Sequence, residues 1–416
     1  MPETAKPPFR ADHVGSLLRP EAVHKARAQA EAGEISREAL RRIEDAAIRD
    51  VVKLQEAAGL QGITDGEIRR GFWHVDFLTG FTGIKPTHSN YAVTFKGEHG
   101  ETAETRSMLV VDGKLRRRRP VAVEDFSFLR SVTTRTAKLC IPSPTYLHLR
   151  GGRKIVDRSA YPDMEGFWAD VIAAYRAEIR DLAAAGCTYL QLDDVSFAYL
   201  CDETIRRQIK DDGEDPDRLP AHYAGIISAL IAERPPNMRV TLHTCRGNFQ
   251  SLWMAAGGYD AIAETVFNTA AVDGFFLEYD TERAGGFAPL RFVPKGKKIV
   301  LGLVSTKRPE LESKDALKRR IEEATKYLPL DALCLSPQCG FASTHHGNKI
   351  TLEAGDTDEP GEPDADPGVG STISVAGELQ ATTIEIDGGP DADQILVCGI
   401  VSAANNTING GAGDDV

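Results

Sequence analysis

The sequence predicts an α/β protein built on a (β/α)8 TIM barrel, with an inserted β-ribbon and an atypical acidic, Gly- and Asp-rich C-terminal tail. Short β-branched or apolar runs alternate with longer stretches of helical periodicity, and eight such runs occur. The length agrees, because about 250 residues or more are typical of one such barrel before insertions. We therefore expect a barrel over residues 1–350, interrupted at about 71–135, and a tail over 351–416.

Each strand and helix is predicted from its local pattern. The expected strands are 9–16, 62–65, 137–143, 188–193, 239–245, 274–280, 298–305 and 331–339. The expected helices are 20–32, 36–58, 163–185, 220–233 and 313–327. Gly59 and Gly186 stand where two of these helices should end. Eight strand–helix units in succession favour a closed barrel.

Residues 71–135 do not fit a single strand–helix step. They contain an aromatic stretch at 72–81, alternating residues at 91–111 that are typical of a β-ribbon, and four arginines at 116–119. We expect this insertion to lie over one mouth of the barrel. The arginines are interpreted as a solvated end of the ribbon, with a binding surface for a polyanionic substrate tail as the alternative.

The last 66 residues differ in composition from the rest of the chain. They contain 14 Asp and Glu and no Lys or Arg, so the net charge of −12 divides into −14 for this tail and +2 for the first 350 residues. Residues 351–370 are typical of an acidic linker, followed by short alternating pieces at 371–379 and 382–386. The segments 387–393 and 409–415 resemble calcium-binding turns, but two turns are too few for a stable solenoid.

Charge and hydropathy exclude several classes of partner. A nearly neutral main body gives no reason to expect a nucleic acid. No apolar stretch approaches the roughly 18 residues that span a bilayer, and residues 1–10 lack the features of a secretory leader, so we expect no membrane partner and a cytoplasmic location. Seven cysteines in a large chain are not typical of a disulfide framework, which leaves thiols as candidate metal ligands or nucleophiles.

Polar residues follow the carboxyl ends of most predicted strands, where barrel enzymes place their active sites. They are Ser16, Asp65, Asp193, His243, Cys245, Glu278, Ser305 and Cys339. His243 and Cys245 are two residues apart on one strand, so their side chains point to the same side. Imidazole, thiolate and carboxylate groups together suit a tetrahedral zinc ion, although packed core residues are the alternative at each position.

Six motifs occur in a characteristic order along the chain. They are DHVGS at 12–16, TDGE at 64–67, QLDD at 191–194, LHTC at 242–245, FLE at 276–278 and SPQCG at 336–340. Together, over about residues 9–349, they resemble the catalytic domain of cobalamin-independent methionine synthase, and most closely its short, single-barrel members. Each motif alone is weak, but the ordered set is specific.

The resemblance implies a zinc site. The ligands would be His243, Cys245, Glu278 and Cys339, with Glu278 the ligand most readily exchanged for an incoming thiol. The physical chemistry agrees, because a free thiol with a pKa of roughly 8.5 is mostly protonated at neutral pH, whereas zinc coordination deprotonates it.

The resemblance also implies a homocysteine pocket beside the zinc. Ser16 would lie near the substrate carboxylate, and Glu67 and Asp193 would hold its ammonium group. A strand-end salt bridge or a helix cap is the alternative role for these two carboxylates.

Two features depart from the family pattern. A histidine after the seventh strand is thought to protonate the folate nitrogen in full-length synthases, whereas residues 302–309 place Lys307 there. An ammonium group with a pKa near 10.4 is a poor proton donor at neutral pH, so Lys307 is either a catalytic residue, as is Asp193, or a solvent-facing loop charge. In addition, residues 351–416 offer no amphipathic stretch to replace the family's last helix.

The implied function is zinc-dependent methyl transfer to the thiol of homocysteine, giving methionine, with 5-methyltetrahydrofolate or its polyglutamate as the methyl donor. Because Lys307 replaces a histidine, a methylcorrinoid donor or alkylation of coenzyme M by an epoxide are alternatives. A non-catalytic, calcium-dependent or acidic binding module is a further alternative from another class. A porphyrin decarboxylase barrel is disfavoured, since that chemistry has no use for two zinc-type thiolates.

Overall fold

The computed structural model describes residues 6–350 and two later segments, 379–386 and 393–401. In chain order its strands are β1 (Gly62–Ile63), β2 (Thr82–Lys96), β3 (Thr102–Arg116), β4 (Thr136–Pro142), β5 (Tyr189–Asp194), β6 (Arg239–Thr244), β7 (Gly274–Glu278), β8 (Lys298–Val304), β9 (Leu333–Pro337), β10 (Leu379–Ile386) and β11 (Asp393–Val401).

The α-helices surround the central strands. They are α1 (Glu21–Glu31), α2 (Arg37–Ala57), α3 (Val75–Leu78), α4 (Val123–Val132), α5 (Tyr146–Leu149), α6 (Met164–Ala184), α7 (Ser196–Tyr199), α8 (Glu203–Asp211), α9 (Leu219–Ile231), α10 (Ala263–Thr269) and α11 (Lys314–Thr325). No helix among the residues that the structure describes has the length and apolarity needed to cross a bilayer.

A curled parallel sheet of seven strands forms the centre of the fold. Its order is β1, β4, β5, β6, β7, β8, β9, and every neighbouring pair is parallel. Residues of β5 and β7 are buried without interruption, as expected for strands covered on both faces. The predicted α/β class and parallel sheet are confirmed.

The helix ends follow the local chemistry of the sequence. Ser36 and Asp163 accept backbone hydrogen bonds at the starts of α2 and α6, from Ala39 N at 3.2 Å and Gly166 N at 2.8 Å. Gly59 and Gly186 follow the same two helices with φ of 85° and 94°, a conformation that glycine adopts readily.

The prediction of a first strand over residues 9–16 was wrong. This segment pairs with the sheet at one bridge, between Ala11 and Leu335 of β9. The carbonyl of Val14 accepts instead from two side chains, Cys140 Sγ at 3.0 Å and Gln191 Nε2 at 2.7 Å. Side-chain donors thus replace the backbone ladder, and Gly15 at φ 138° departs from strand geometry. The segment lies beside β9, in the place that the expected first strand would occupy.

The inserted region contains a long antiparallel ribbon made of β2 and β3. Near its tip, Lys96 and Trp253 exchange two backbone hydrogen bonds, of 2.7 and 2.9 Å. Near its base, Arg117 packs against α6 and donates to Glu178 at 2.5 Å and to Asp181 at 2.6 Å. Arg117 is therefore neither solvated nor free to bind a polyanion, while its neighbours 116, 118 and 119 are exposed.

Residues 338–350 follow β9 without forming a helix. Further on, β10 and β11 pair as an antiparallel hairpin, and the alternating piece predicted at 382–386 lies within β10. Most of the piece at 371–379 and the two Gly- and Asp-rich turns lie outside the described residues, as does the linker at 351–370.

Candidate functional site

The carboxyl ends of β6 and β7 bring the predicted metal ligands together. His243 lies in β6, Cys245 directly follows that strand, and Glu278 ends β7. Cys339 lies two residues beyond β9, where Gln338 N donates to Val304 O at 2.7 Å and fixes the turn. One ligand atom from each of the four residues lies within 4.8 Å of every other, and all four residues are buried.

This cluster has the chemistry of a zinc site. Cys245 Sγ and Cys339 Sγ are 3.3 Å apart. Both ring nitrogens of His243 are buried and have no hydrogen-bond partner in the described part of the chain. Buried polar atoms normally have partners, and an imidazole beside two thiols and a carboxylate is a group that could hold a metal ion. One nitrogen, two sulfurs and one oxygen are a donor set that zinc accepts.

The two thiols differ in acidity. The hydrogen bond from Cys245 lowers the pKa of Cys339 well below its ordinary value and raises that of Cys245 well above it. Burial raises the pKa of Glu278, and Cys339 raises it further. A bound cation would favour the thiolate form of both sulfurs.

Glu278 is held by two nitrogen donors that sequence reasoning missed. Arg246 N donates to Glu278 Oε1 at 2.9 Å, and Arg283 Nη2 donates to Glu278 Oε2 at 3.3 Å. Arg283 also donates to Asp280, at 2.8 and 3.1 Å. The five-residue separation of Arg283 from Glu278 carries no periodic signal, because an irregular loop brings the two together.

A second buried group lies beside the first. Carboxylate oxygens of Glu67 and Asp193 lie within 4.8 Å of each other and of Cys140 Sγ. Asp193 stands opposite His243 in the β5–β6 register, which joins the two groups. Glu67 is presented by the turn after β1 at φ 55°, a conformation stabilised by Glu67 N donating to Asp65 Oδ1 at 2.9 Å.

Burial raises the pKa of both carboxyl groups. It raises the pKa of Glu67 to about 7, with Arg70 acting in the opposite direction and Asp193 adding to the rise. It raises the pKa of Asp193 to about 6, against the opposing influence of His243. Arg70 Nη1 lies 3.2 Å from Glu67 Oε2. Arg19 acts on Glu67 in the same direction as Arg70, and Arg70 and Lys138 act so on Asp193, but burial outweighs these charges.

Ser16 joins the N-terminal segment to the loop that carries Cys339. Ser16 O accepts from Phe341 N at 2.9 Å, and Ser16 Oγ accepts from Ala342 N at 3.4 Å. A Cβ at Gly340 would lie 1.9 Å from Ser16 Oγ, so this close approach requires glycine. Ser16 therefore lies in the same pocket as the ligand cluster.

Lys307 is half-buried and lies three residues after the end of β8. Lys307 Nζ donates to Gly247 O and to Asn248 Oδ1, both at 3.1 Å. Asn248 Nδ2 in turn donates to Gly340 O at 2.7 Å. Lys307 is thus fixed by hydrogen bonds to the loop after β6. Its charge opposes the rise in the pKa of Cys245 and Glu278 and adds to the fall in the pKa of Cys339.

One pocket connects these groups. It encloses about 980 Å³, including the part open to solvent. Of the predicted residues, its lining includes Ser16, Glu67, Asp193, His243, Cys245 and Cys339. An aromatic wall lines the same pocket and was not foreseen as such: Phe72, Trp73, Tyr146 and Phe249, with Val93, Phe95, Thr105 and Ser107 from the ribbon.

The fold and this pocket define an α/β enzyme with its site at the carboxyl ends of a curled parallel sheet. Residues 9–352 match the family model described as "Cobalamin-independent synthase, Catalytic domain". The chain belongs to this family, the cobalamin-independent methionine synthases, and the resemblance of its motifs is confirmed. The family's activity is that of a methyltransferase acting on homocysteine in methionine synthesis.

Individual relatives are similar to this chain over most of its length. YxjG from Bacillus subtilis (strain 168), a protein of uncharacterized function, is 48% identical over 350 residues, which cover 84% of this chain and 91% of YxjG. The methionine synthase of Pyrococcus abyssi is 26% identical over 332 residues, covering 79% of this chain and 85% of that protein. A solved Listeria monocytogenes structure, assigned as a vitamin-B12 independent methionine synthase, has a TM-score of 0.65 at 39% identity, covering 82% of this chain and 94% of its own.

Proposed function

We propose that this protein is a zinc-dependent homocysteine methyltransferase that produces methionine. The observation that carries the proposal is the adjacency of two buried groups in one pocket, the ligand cluster and the carboxylate pair Glu67 and Asp193. A thiol group and an ammonium group on one small molecule would occupy them together. Homocysteine has both.

The carboxylate pair supplies the selectivity. Glu67 and Asp193 are adjacent buried carboxylates, and burial raises the pKa of both above the ordinary value, so an ammonium group between them would stabilise their ionised forms. The hydroxyl of Ser16, which lies beside Gly340 in the same pocket, would donate to the substrate carboxylate. Coenzyme M lacks an ammonium group, and this site disfavours it.

The zinc ion would be held by His243, Cys245, Glu278 and Cys339. When bound, zinc lowers the pKa of a coordinated thiol and so supplies a thiolate at neutral pH.

The remaining residues orient this chemistry. In the overall reaction the homocysteine sulfur forms a bond to the methyl carbon, the bond from that carbon to its donor breaks, and the thiol proton is released. Asp193 would hold the substrate ammonium beside His243. Lys307 contributes positive charge near the ligand cluster and donates a hydrogen bond to Asn248 Oδ1. We propose 5-methyltetrahydrofolate or its polyglutamate as the donor, with the aromatic wall of the pocket as the surface for its ring.

The test is methionine formation from homocysteine by purified protein, together with its zinc content. We expect about one zinc per chain, and loss of both zinc and turnover in Cys339→Ser. Cys187→Ser is the matched control, because Cys187 is a buried thiol that donates to Tyr189 O, away from the cluster. Full activity without zinc would overturn the proposal. Running the assay with 5-methyltetrahydrofolate, its triglutamate and methylcobalamin identifies the donor.

A further inference from the structure

Glu278 is fully buried, and both of its carboxylate oxygens already have donors. Arg246 N supplies one hydrogen bond and Arg283 Nη2 the other, the latter as an ion pair at 3.3 Å. A carboxylate has about four lone-pair positions, so these two bonds leave capacity for a metal ion as well. The same two bonds also remain available when no metal is bound.

Arg283 is itself held rigidly. Its guanidinium donates to both oxygens of Asp280, and it lies 5.0 Å from the centre of the Trp253 ring. The Arg283 side chain is 9% exposed, and Asp280 is fully buried. Arg283 Nη2 contacts both Asp280 and Glu278, and Nη1 donates to Thr281 Oγ1 at 2.8 Å, so the guanidinium stays beside Glu278 without reorientation.

Displacement of Glu278 by a substrate thiol creates an electrostatic problem. The carboxylate would leave a cation and remain in a buried environment, where an uncompensated charge is strongly unfavourable. Lys307 favours the ionised form of Glu278 through its charge, but its ammonium donates to Gly247 O and Asn248 Oδ1 and not to this carboxylate. Arg283 already contacts the Glu278 carboxylate and would compensate its negative charge.

We propose that Arg283 is a positioning residue that receives the Glu278 carboxylate when the substrate thiol takes its place on the metal. The inference rests on the proposed zinc site and homocysteine substrate. Arg283 makes the exchange favourable because the displaced carboxylate keeps a paired, hydrogen-bonded position throughout. Without Arg283, Glu278 remains on the metal and the thiol competes less well.

The experiment uses the zinc-loaded full chain and Arg283→Gln. X-ray absorption at the zinc edge counts sulfur ligands with and without homocysteine, and calorimetry gives the homocysteine Kd. We expect two sulfur ligands to become three in the wild type. In Arg283→Gln we expect zinc to stay bound and the homocysteine Kd to rise about tenfold or more, since a charge-assisted hydrogen bond is lost.

Arg320→Gln is the matched control. Arg320 donates to Tyr279 O at 3.2 Å, next to Glu278 in sequence, but its ion pair is with Glu323. We expect a wild-type Kd for this variant. Arg283→Lys keeps a cation beside Asp280 but loses the second nitrogen, Nη1, that anchors the guanidinium to Thr281 Oγ1, so a smaller rise in Kd is expected.

The outcomes separate the two proposals. If the wild type gains no sulfur ligand with homocysteine, the proposed function fails. If the wild type gains one and Arg283→Gln shows the same Kd and sulfur count, the role of Arg283 is overturned. Should Arg283→Gln fail to fold, as judged by circular dichroism, Arg283→Lys decides, and a wild-type Kd in that variant overturns the inference.

Discussion

Single residues at this site act through charge in a buried setting. Glu67 is 4% exposed, and its nearest opposite charge is Arg70. Burial raises the pKa of Glu67 to about 7, so at neutral pH part of the population holds a proton on this carboxyl group. An incoming ammonium group must displace that proton. Homocysteine binding is therefore expected to weaken as the pH falls below 7.

The same shift makes protein stability depend on pH. The ordinary pKa of Glu67 is 4.5, so between pH 4.5 and 7 the folded state binds a proton that the unfolded state has released. This stabilisation is complete below pH 4.5 and is lost as the pH rises through 7. From pH 5.5 to pH 8 the wild type should lose about 2 kcal/mol that Glu67→Gln does not lose. Urea unfolding across this range measures the difference.

Two comparisons make that measurement decisive. Glu67→Gln resembles the protonated carboxyl group at every pH, so Arg70 lacks this anionic partner throughout and the slope due to Glu67 is removed. Glu104→Gln, at an exposed position of the ribbon, should reproduce the wild-type slope. Parallel curves for the wild type and Glu67→Gln would show that Glu67 has no raised pKa.

Residue types at strand ends were readable from sequence, but their partners were not. His243, Cys245 and Glu278 lie where the ends of apolar strands predict them, since strand ends of a parallel sheet meet at one edge. Arg246 and Arg283 approach Glu278 through the backbone conformations of irregular loops. Such contacts depend on tertiary structure that no local period encodes.

At the scale of elements, buried strands and long helices were predicted best. Seven of the eight expected strands are present, because each is an apolar run buried on both faces. All five expected helices are present as α1, α2, α6, α9 and α11. The short helices α4, α8 and α10 were not foreseen. In α8, for example, Ile209 is the one buried residue, so its apolar pattern is too sparse to read.

The ribbon is the element that separates this pocket from solvent on one side. Phe95 of β2 packs against Phe249 with ring centres 5.3 Å apart, and both line the pocket. The ligand cluster and the carboxylate pair, in contrast, come from the sheet and its adjoining loops. We infer that the ribbon serves the methyl donor rather than the thiol substrate.

Phe95→Ala tests this division of roles. We expect zinc content and the melting temperature to stay close to wild type, while KM for the donor rises about three- to tenfold, as expected for the loss of an aromatic contact of roughly 1 kcal/mol. KM for homocysteine should change much less. Steady-state kinetics with each substrate varied in turn measures both. Glu104→Ala, exposed on the neighbouring strand, is the control, and an equal rise in both KM values would contradict the assignment.

At the scale of the whole molecule, the site joins distant parts of the chain. Its proposed metal ligands come from β6 and the residue after it, from β7 and from the loop after β9. That loop is hydrogen-bonded to Ser16, near the start of the described chain. Family membership over residues 9–352 covers all of these parts. A ligand bound by the folded state alone stabilises that state by mass action.

Removing zinc from the proposed site should therefore weaken the fold as well as the activity. Chelation would leave both buried ring nitrogens of His243 without a partner, so we expect a melting temperature lower by several degrees, restored by added zinc. A stabilisation of about 4 kcal/mol corresponds to free zinc at 1,000 times its Kd. Hydrogen exchange should quicken in residues 246–255 and 339–348 while α2 is unaffected. Cys245→Ser should not respond to the chelator, and a zinc-containing wild type whose melting temperature ignores chelation would exclude this coupling of site and fold.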